Sequence, residues 1–400
     1  MLPASPLQPE SLNKLARNEA LPPDPTIKPE IQRSSEQLIF FQHRTFGERA
    51  FSNYEPAGNT AADSLKRYEH QEAGLGSVQN TLTGIELAVK NGFVPEIDLV
   101  KTADGDYITG HPKTADVIAG KKATGESTAD YLQTNPEALT VNELFEWLAH
   151  QEDPRSKLYV ELKSEIEVGR LMEAATKAIA TLPESVNKLT PEQLLSRVML
   201  YTSNQETIKK LLQGKKELKM DTNTLPLTML TDKLVTRDFI DKAAKLSEEY
   251  GTGVFAIEQG MFAWTQPFLK RVFEQFAHGF ENQAILQSAL DLLWKIKAKT
   301  ATPGKPSESE QQKNMMNMAD LVKHAGSKTL KLIIGTQNNP KMIRYLAECG
   351  VYGIVPDNAV DYEIAGIQRP VYEKKPTATQ YIPESMRTRV QKIGSAVGTA

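Results

Sequence analysis

The chain has little of what marks several protein classes. It has one cysteine in 400 residues, Cys349, which excludes an intramolecular disulfide framework. No apolar run reaches about eighteen residues, the length that a membrane-spanning helix needs. The net charge is only -3, and acidic and basic residues are interspersed, so the chain lacks the basic surface typical of nucleic-acid-binding proteins. We therefore expect no nucleic acid among its partners.

The first thirty residues also lack the apolar stretch of a cleavable secretory signal. The segment 1–35 is rich in proline, which interrupts regular structure, and predicts a mobile or loosely docked N-terminal arm. These features predict a soluble, cytoplasmic protein. Export by a route that is independent of such a signal stays open, and the sequence leaves the oligomeric state open as well.

What the chain does have is an alternation of helix-like and strand-like segments over residues 36–360. Eight short apolar segments read as strands, and most are separated by helix-like segments. They lie at about residues 38–41, 93–101, 158–163, 198–201, 225–230, 254–257, 330–335 and 353–355. Repeated βα units of this number predict an α/β fold of the (β/α)8 TIM-barrel type, with a doubly wound open sheet as the alternative.

Three segments fall outside this alternation. An insertion at 46–78 follows the first strand, and its length predicts an excursion over the mouth of the barrel. Extra helices and a polar loop occupy 282–317, and residues 361–400 form a C-terminal extension.

Two strand-like segments carry charge on one face and apolar side chains on the other. In the first, the two-residue period of a strand puts Glu96 and Asp98 on the same side. In the second, the same period puts Glu161 beside Lys163. A charged strand face is costly unless it meets solvent, an opposite charge or a metal ion, so the two strands predict an ionic pocket.

In a barrel, the carboxyl ends of the first strands face one site, and further polar residues are expected there. His43 and Arg44 end the first strand, and a short hairpin turning at Asp104-Gly105 returns His111 toward the second. Two imidazoles that titrate near neutrality suit one general base and one general acid. Arg44, as a planar fork, and Lys163, as a point charge, are candidates for holding phosphate oxygens.

The three carboxylates are candidates for a metal site. Hard oxygen ligands such as Glu96, Asp98 and Glu161 suit Mg²⁺ or Ca²⁺ better than zinc. A divalent cation there would offset their mutual repulsion and neutralise charge that develops on a phosphate. An inward ion pair of Glu161 with Lys163 and no other role is the structural alternative.

Several motifs, taken in order, resemble the signature of the glycerophosphodiester phosphodiesterase family. They span roughly residues 38 to 358, and their order is more specific than any single motif. They are His43-Arg44, Gln79-Asn80-Thr81, Glu96-Ile97-Asp98, Lys101-Thr102-Ala103-Asp104-Gly105, His111, Glu161-Leu162-Lys163, Gly335-Thr336-Gln337-Asn338 and Gly350-Val351-Tyr352-Gly353-Ile354-Val355-Pro356-Asp357.

The resemblance implies a barrel that hydrolyses a glycerophosphodiester to an alcohol and glycerol 3-phosphate with a divalent cation. It implies that His43 and His111 are the acid/base pair and that the three carboxylates bind the metal. The chain departs from the family pattern at four places, which bear on substrate identity more than on reaction type. Thr45 replaces glycine, Gln79 replaces glutamate, Pro112 replaces Asp or Asn, and Gly335 replaces tryptophan.

Two alternatives stay open at this stage. A phospholipase D-like enzyme of the same superfamily would cleave lysophospholipid or sphingolipid, with aromatic residues of the insertion 46–78 as an apolar lip. A barrel retained as a binding module is the non-enzymatic alternative. A basic cluster predicts a solvated face, with peripheral membrane contact as the lesser interpretation; its members are Lys209, Lys210, Lys215, Lys216 and Lys219.

Overall fold

The structure, a computed structural model, describes part of the chain. The described residues are 39–42, 80–90, 93–110, 125–151, 153, 156–183, 189–231, 234–259, 318–335, 340–355 and 381–389. His43, Arg44 and His111 lie outside them, as do the segments 1–35, 46–78 and 282–317.

Nine strands are present in the described residues, and each predicted strand is among them within a few residues at its ends. They are β1 (Ile39–Gln42), β2 (Val94–Lys101), β3 (Tyr107–Thr109), β4 (Leu158–Leu162), β5 (Val198–Thr202), β6 (Leu227–Thr231), β7 (Val254–Gln259), β8 (Lys331–Gly335) and β9 (Gly353–Val355). The additional strand, β3, is the second arm of the predicted hairpin and pairs antiparallel with β2.

Helices lie between the strands, as the alternation predicts. In the described residues they are α1 (Leu82–Lys90), α2 (Thr128–Thr134), α3 (Val141–Ala149), α4 (Val168–Ala180), α5 (Pro191–Leu195), α6 (Gln205–Glu217), α7 (Arg237–Tyr250), α8 (Met318–Ser327) and α9 (Pro340–Cys349). Several begin at the residue types that cap helices: Thr140 caps α3, Asn204 caps α6 and Thr236 caps α7 through side-chain oxygens.

The strands form one mixed sheet in the order β1-β9-β8-β7-β6-β5-β4-β2-β3. All neighbouring pairs are parallel except β2 with β3. In addition, β1 pairs in parallel with β2, through Phe41 opposite Val94. The carboxyl ends of all the parallel strands therefore lie at one edge, where sites of α/β proteins are found.

The two faces of the sheet differ sharply in composition. Alternate residues of β2, β4, β5, β6 and β8 join the large core beneath the helices, as Leu158 and Val160 of β4 do. The opposite face has only a small apolar cluster, which includes Tyr159 and Tyr201. Glu96, Asp98 and Glu161 share strand parity with this second face, so the polar residues lie on the side away from the helices.

The prediction that the basic cluster forms a solvated face is wrong at one residue. Lys215 is fully buried in α6, whereas Lys209 and Lys216 are not. Its ammonium donates to the carbonyls of Thr222 and Leu225 at 3.3 and 3.1 Å, because the chain after α6 turns back over it. Within the described residues, no helix combines the length and the apolarity needed to cross a membrane.

Candidate functional site

Three carboxylates converge at the carboxyl edge of β2 and β4. Asp98 lies directly opposite Glu161 in the parallel register, and Glu96 lies opposite Tyr159. One oxygen from each of Glu96, Asp98 and Glu161 lies within 4.8 Å of the others. Glu96 and Asp98 are buried, and Glu161 is half-buried. The strand period and the register together bring these predicted residues into one cluster.

Lys163 lies at the rim of the same cluster, just past the end of β4. Its ammonium is 2.6 Å from Glu161 Oε1 and 3.2 Å from Asp98 Oδ1. The backbone N–H of Lys163 donates to the carbonyl of Leu99 at 3.0 Å, so the parallel pairing of the two strands continues through this residue. The ion pair with Glu161 that the sequence suggested is therefore formed, and it includes Asp98 as well.

Asn80 fixes the orientation of Asp98. Its amide donates to Asp98 Oδ2 at 3.1 Å, and its carbonyl oxygen accepts from the backbone N–H of Asp98 at 2.7 Å. Asn80 adopts a φ of 62°, a left-handed conformation that asparagine tolerates better than most residues. The same residue accepts a hydrogen bond at its backbone carbonyl from the Thr109 hydroxyl at 2.7 Å. Asn80, two residues before α1, is thus anchored to both arms of the hairpin.

Tyr201 contacts the cluster from β5, the neighbour of β4 on the side away from β2. Its hydroxyl contacts Glu96 Oε1 and lies 3.0 Å from Glu161 Oε2. Its ring stacks on that of Tyr159, with centroids 4.3 Å apart and an angle of 19° between the planes.

A further buried carboxylate, Glu258 on β7, lies beyond these two rings. The hydroxyl of Tyr159 donates to Glu258 Oε2. Burial, followed by the nearby charge of Glu258, raises the pKa of Tyr159 well above its ordinary value of 10.0, so the phenol stays protonated and remains a donor. A Cβ at Gly335 would lie 2.4 Å from Glu258 Oε1, so the glycine at this departure from the family pattern provides room for the Glu258 carboxylate.

The predicted histidines and Arg44 lie outside the described residues, but the residues before them are described. Gln42, before His43, pairs with Pro95, the neighbour of Glu96. Gly110, before His111, donates its N–H to the carbonyl of Asp98 at 3.0 Å. A Cβ at Gly110 would lie 2.1 Å from the hydroxyl of Tyr131, so only glycine permits this approach of α2.

The described residues fit a hard divalent cation. All three converging ligands are carboxylate oxygens, the donors that Mg²⁺ and Ca²⁺ take. Within the group formed by these three residues and Lys163, the formal negative charge exceeds the positive charge by two. A divalent cation would balance that excess, which is otherwise costly for buried groups.

Sequence reasoning missed four residues that build this site. They are Tyr159, Tyr201, Glu258 and Asn80, the last as a structural partner of Asp98. Tyr159 and Tyr201 share strand parity with the charged face, so the period-two pattern that identified Glu161 also contained their signal. The sequence alone did not indicate the register between β4 and its neighbouring strands, which sets the residues that meet.

The fold and the site together define an α/β protein with an acidic cluster at the carboxyl edge of a largely parallel sheet. No protein-family model matches the chain, and no curated protein matches it significantly. Among solved structures, the chain is similar to glycerophosphodiester phosphodiesterases from two bacteria. For Thermotoga maritima, identity is 12%, coverage is 81% of this chain and 96% of the other, and the TM-score is 0.40. For Agrobacterium tumefaciens, the corresponding values are 14%, 82%, 99% and 0.39.

A third similar structure is a phosphodiesterase from Oleispira antarctica in complex with the product sn-glycerol-3-phosphate. Identity is 13%, coverage is 83% of this chain and 97% of the other, and the TM-score is 0.39. The Thermotoga and Agrobacterium structures carry the family name that the sequence motifs suggested. Their identities are too low to transfer an activity to this chain.

Proposed function

We propose that this protein is a metal-dependent phosphodiesterase that hydrolyses a glycerophosphodiester to an alcohol and glycerol 3-phosphate. The observation that carries the proposal is the convergence of Glu96, Asp98 and Glu161 within 4.8 Å, with the ammonium of Lys163 against two of them. A cluster of acids beside a cation suits a phosphate ester, whose charge must be neutralised during cleavage.

We also infer that the strands close into the complete (β/α)8 barrel that the sequence predicts. The parallel pairing of β1 with both β2 and β9 supports closure, because it links the two ends of the parallel series. In such a barrel the acidic cluster faces the interior at the catalytic end.

Glu96, Asp98 and Glu161 would hold the cation, Mg²⁺ or Ca²⁺. When bound, the ion would supply charge stabilisation for phosphate oxygens. Asn80 keeps the Asp98 carboxylate oriented through its two hydrogen bonds. Lys163 is partly exposed at the rim, so its ammonium can turn from the carboxylates toward a phosphate oxygen of the substrate.

His43 and His111 would be the acid/base pair, and Arg44 would hold phosphate with Lys163. The placement of Gln42 beside Pro95, and of Gly110 against Asp98, supports these roles because each leads directly to a histidine. One imidazole would take a proton from water or from a neighbouring hydroxyl of the substrate, and the other would protonate the leaving alcohol. Attack by the substrate's hydroxyl would give a cyclic phosphate first, and ³¹P NMR would reveal that species.

The test is hydrolysis of glycerophosphocholine by the full chain, followed as release of glycerol 3-phosphate. We expect activity with added Mg²⁺ or Ca²⁺, and its loss with a chelator. D98N should lower kcat/KM on the order of 100-fold or more, about 3 kcal/mol, since it removes a charged ligand. D241N is the matched control, because Asp241 is exposed and pairs with His324 away from the cluster.

Two results would contradict the proposal. One is turnover that survives chelation and the D98N change. The other is full activity in both H43A and H111A. That result would show that His43 and His111 are not the acid/base pair. Release of a head group from a lysophospholipid, with no hydrolysis of glycerophosphocholine, would favour the phospholipase D-like alternative.

A further inference from the structure

Tyr201 connects two of the three clustered carboxylates from a separate strand. Parallel register places Asp98 opposite Glu161, and Glu161 opposite Tyr201, so the three residues lie at one level across β2, β4 and β5. The Tyr201 hydroxyl lies 3.0 Å from Glu161 Oε2 on the adjacent strand and also contacts Glu96 Oε1 on β2, two strands away. One phenol therefore spans the gap between two proposed ligands.

The position of this hydroxyl is set by the packing of its ring. Tyr201 is only 4% exposed, and it stacks on Tyr159, whose own hydroxyl is held by Glu258. A tyrosine side chain has two main torsions, so a ring packed in this way leaves its hydroxyl little freedom.

The contact has one donor for two acceptors, because the Tyr201 phenol has one proton and both carboxylates are acceptors. A carboxylate accepts only, and a hydroxyl donates one hydrogen. A single proton shared between two carboxylates draws them together and reduces their mutual repulsion. Each carboxylate also has a second oxygen, so contact with Tyr201 occupies one side of the group and orients the other.

We infer that Tyr201 is a positioning residue that holds Glu96 and Glu161 in the arrangement that receives the divalent cation. The inference rests on the proposed function. Tyr201 touches ligands and not the reacting atoms, so its contribution is to cation affinity rather than to proton transfer. Partners of this kind commonly affect metal affinity by about 10- to 100-fold.

A purely structural hydroxyl would give a different result. If Tyr201 served only to satisfy buried acceptors, loss of its hydroxyl would leave the contacted oxygens of Glu96 and Glu161 available to the cation, which would bind as tightly as before or more tightly. The direction of the change in affinity therefore separates the two roles.

The experiment is a titration of the full chain with Mn²⁺, followed by electron paramagnetic resonance of the free ion and by calorimetry. Y201F keeps the stacked ring and removes only the proton donor. Y381F is the matched control, since the Tyr381 ring also stacks on a neighbouring ring, that of His150, and its hydroxyl also contacts a carboxylate, that of Glu146, which is not a proposed ligand. We expect Y201F to bind Mn²⁺ about 10- to 100-fold more weakly than the wild type, and Y381F to bind close to the wild type.

Y201L is a second variant, used if Y201F does not fold. Leucine neither donates a hydrogen bond nor ligates a cation, so the affinity for Mn²⁺ should also fall. Wild-type affinity in a folded Y201F or Y201L overturns the inference, as does an equal loss in Y381F. Failure of the wild type to bind Mn²⁺ overturns the proposed metal site itself, and the role of Tyr201 with it.

Discussion

At the scale of single residues, burial changes the chemistry of Lys215 more than its sequence context suggests. It lies in a run of lysines, yet its side chain is fully buried and its ammonium is bonded to two backbone carbonyls. Burial lowers the pKa of Lys215 from its ordinary value of 10.5 to about 8. The charged form is the one that desolvation disfavours.

This pKa predicts a pH dependence of stability. Between about pH 8 and 10.5 the unfolded chain keeps the proton on Lys215 and the folded chain has released it, so the free energy of unfolding should rise with pH. The contribution is at most about 3 kcal/mol across that window. Urea denaturation at a series of pH values should show this rise in the wild type and its loss in K215M.

K216M is the control for Lys215, because Lys216 is the exposed neighbour in the same helix. The slope should be the same in K216M as in the wild type. If K215M and the wild type have equal slopes from pH 8 to 10.5, then Lys215 does not titrate in that range.

At the scale of secondary-structure elements, the start of α3 and a C-terminal segment stabilise each other. Residues 384–389, within the C-terminal extension, are helical. Arg389 donates to Glu143 at 3.0 Å and to the carbonyls of Pro136 and Ala138 at 3.1 and 2.8 Å. Glu143 also completes the capping box of α3 with Thr140, so one carboxylate serves both elements.

We expect R389A to lower the free energy of unfolding by about 2 kcal/mol, because hydrogen bonds to charged, largely buried groups are among the stronger ones. R387A is the matched control. Arg387 pairs with Glu384 in an exposed position, where an ion pair contributes little. Denaturant unfolding of both variants measures the difference, and equal stability of the two would show that the Arg389 contacts do not hold the segment.

At the scale of the whole molecule, the site exists only where distant strands become neighbours. Glu96 and Glu161 come from β2 and β4, and Tyr201 and Glu258 come from β5 and β7. An unfolded chain separates these residues and has no preformed site. A cation that binds the cluster therefore binds the folded state almost exclusively.

This coupling predicts that Mg²⁺ or Ca²⁺ raises the midpoint of thermal unfolding. At a cation concentration about 100 times the dissociation constant, the gain is about 2.7 kcal/mol. D98N should lose the gain, whereas D241N should keep it. Calorimetric scans with NaCl at matched ionic strength provide the baseline, and an equal rise in NaCl would mean that screening, not binding, stabilises the protein.

Local residue patterns were enough to predict the elements and the candidate acids. The period of two in the strands placed Glu96 with Asp98 and Glu161 with Lys163, because alternation is a local property of an extended backbone. The Asp104-Gly105 turn predicted the hairpin that β3 completes, with Gly105 at a φ of 91°. Such features depend on neighbours in the chain, so the chain encodes them directly.

The packed sheet sets the contacts that hold these acids, which periodicity does not predict. The contact of Tyr201 with Glu96, the reach of Tyr159 to Glu258 and the burial of Lys215 all join residues whose proximity depends on strand order and register. Sequence periodicity fixes the face on which a side chain lies but not its partner on the next strand. Only the packed sheet sets those distances, and with them the charge balance of the site.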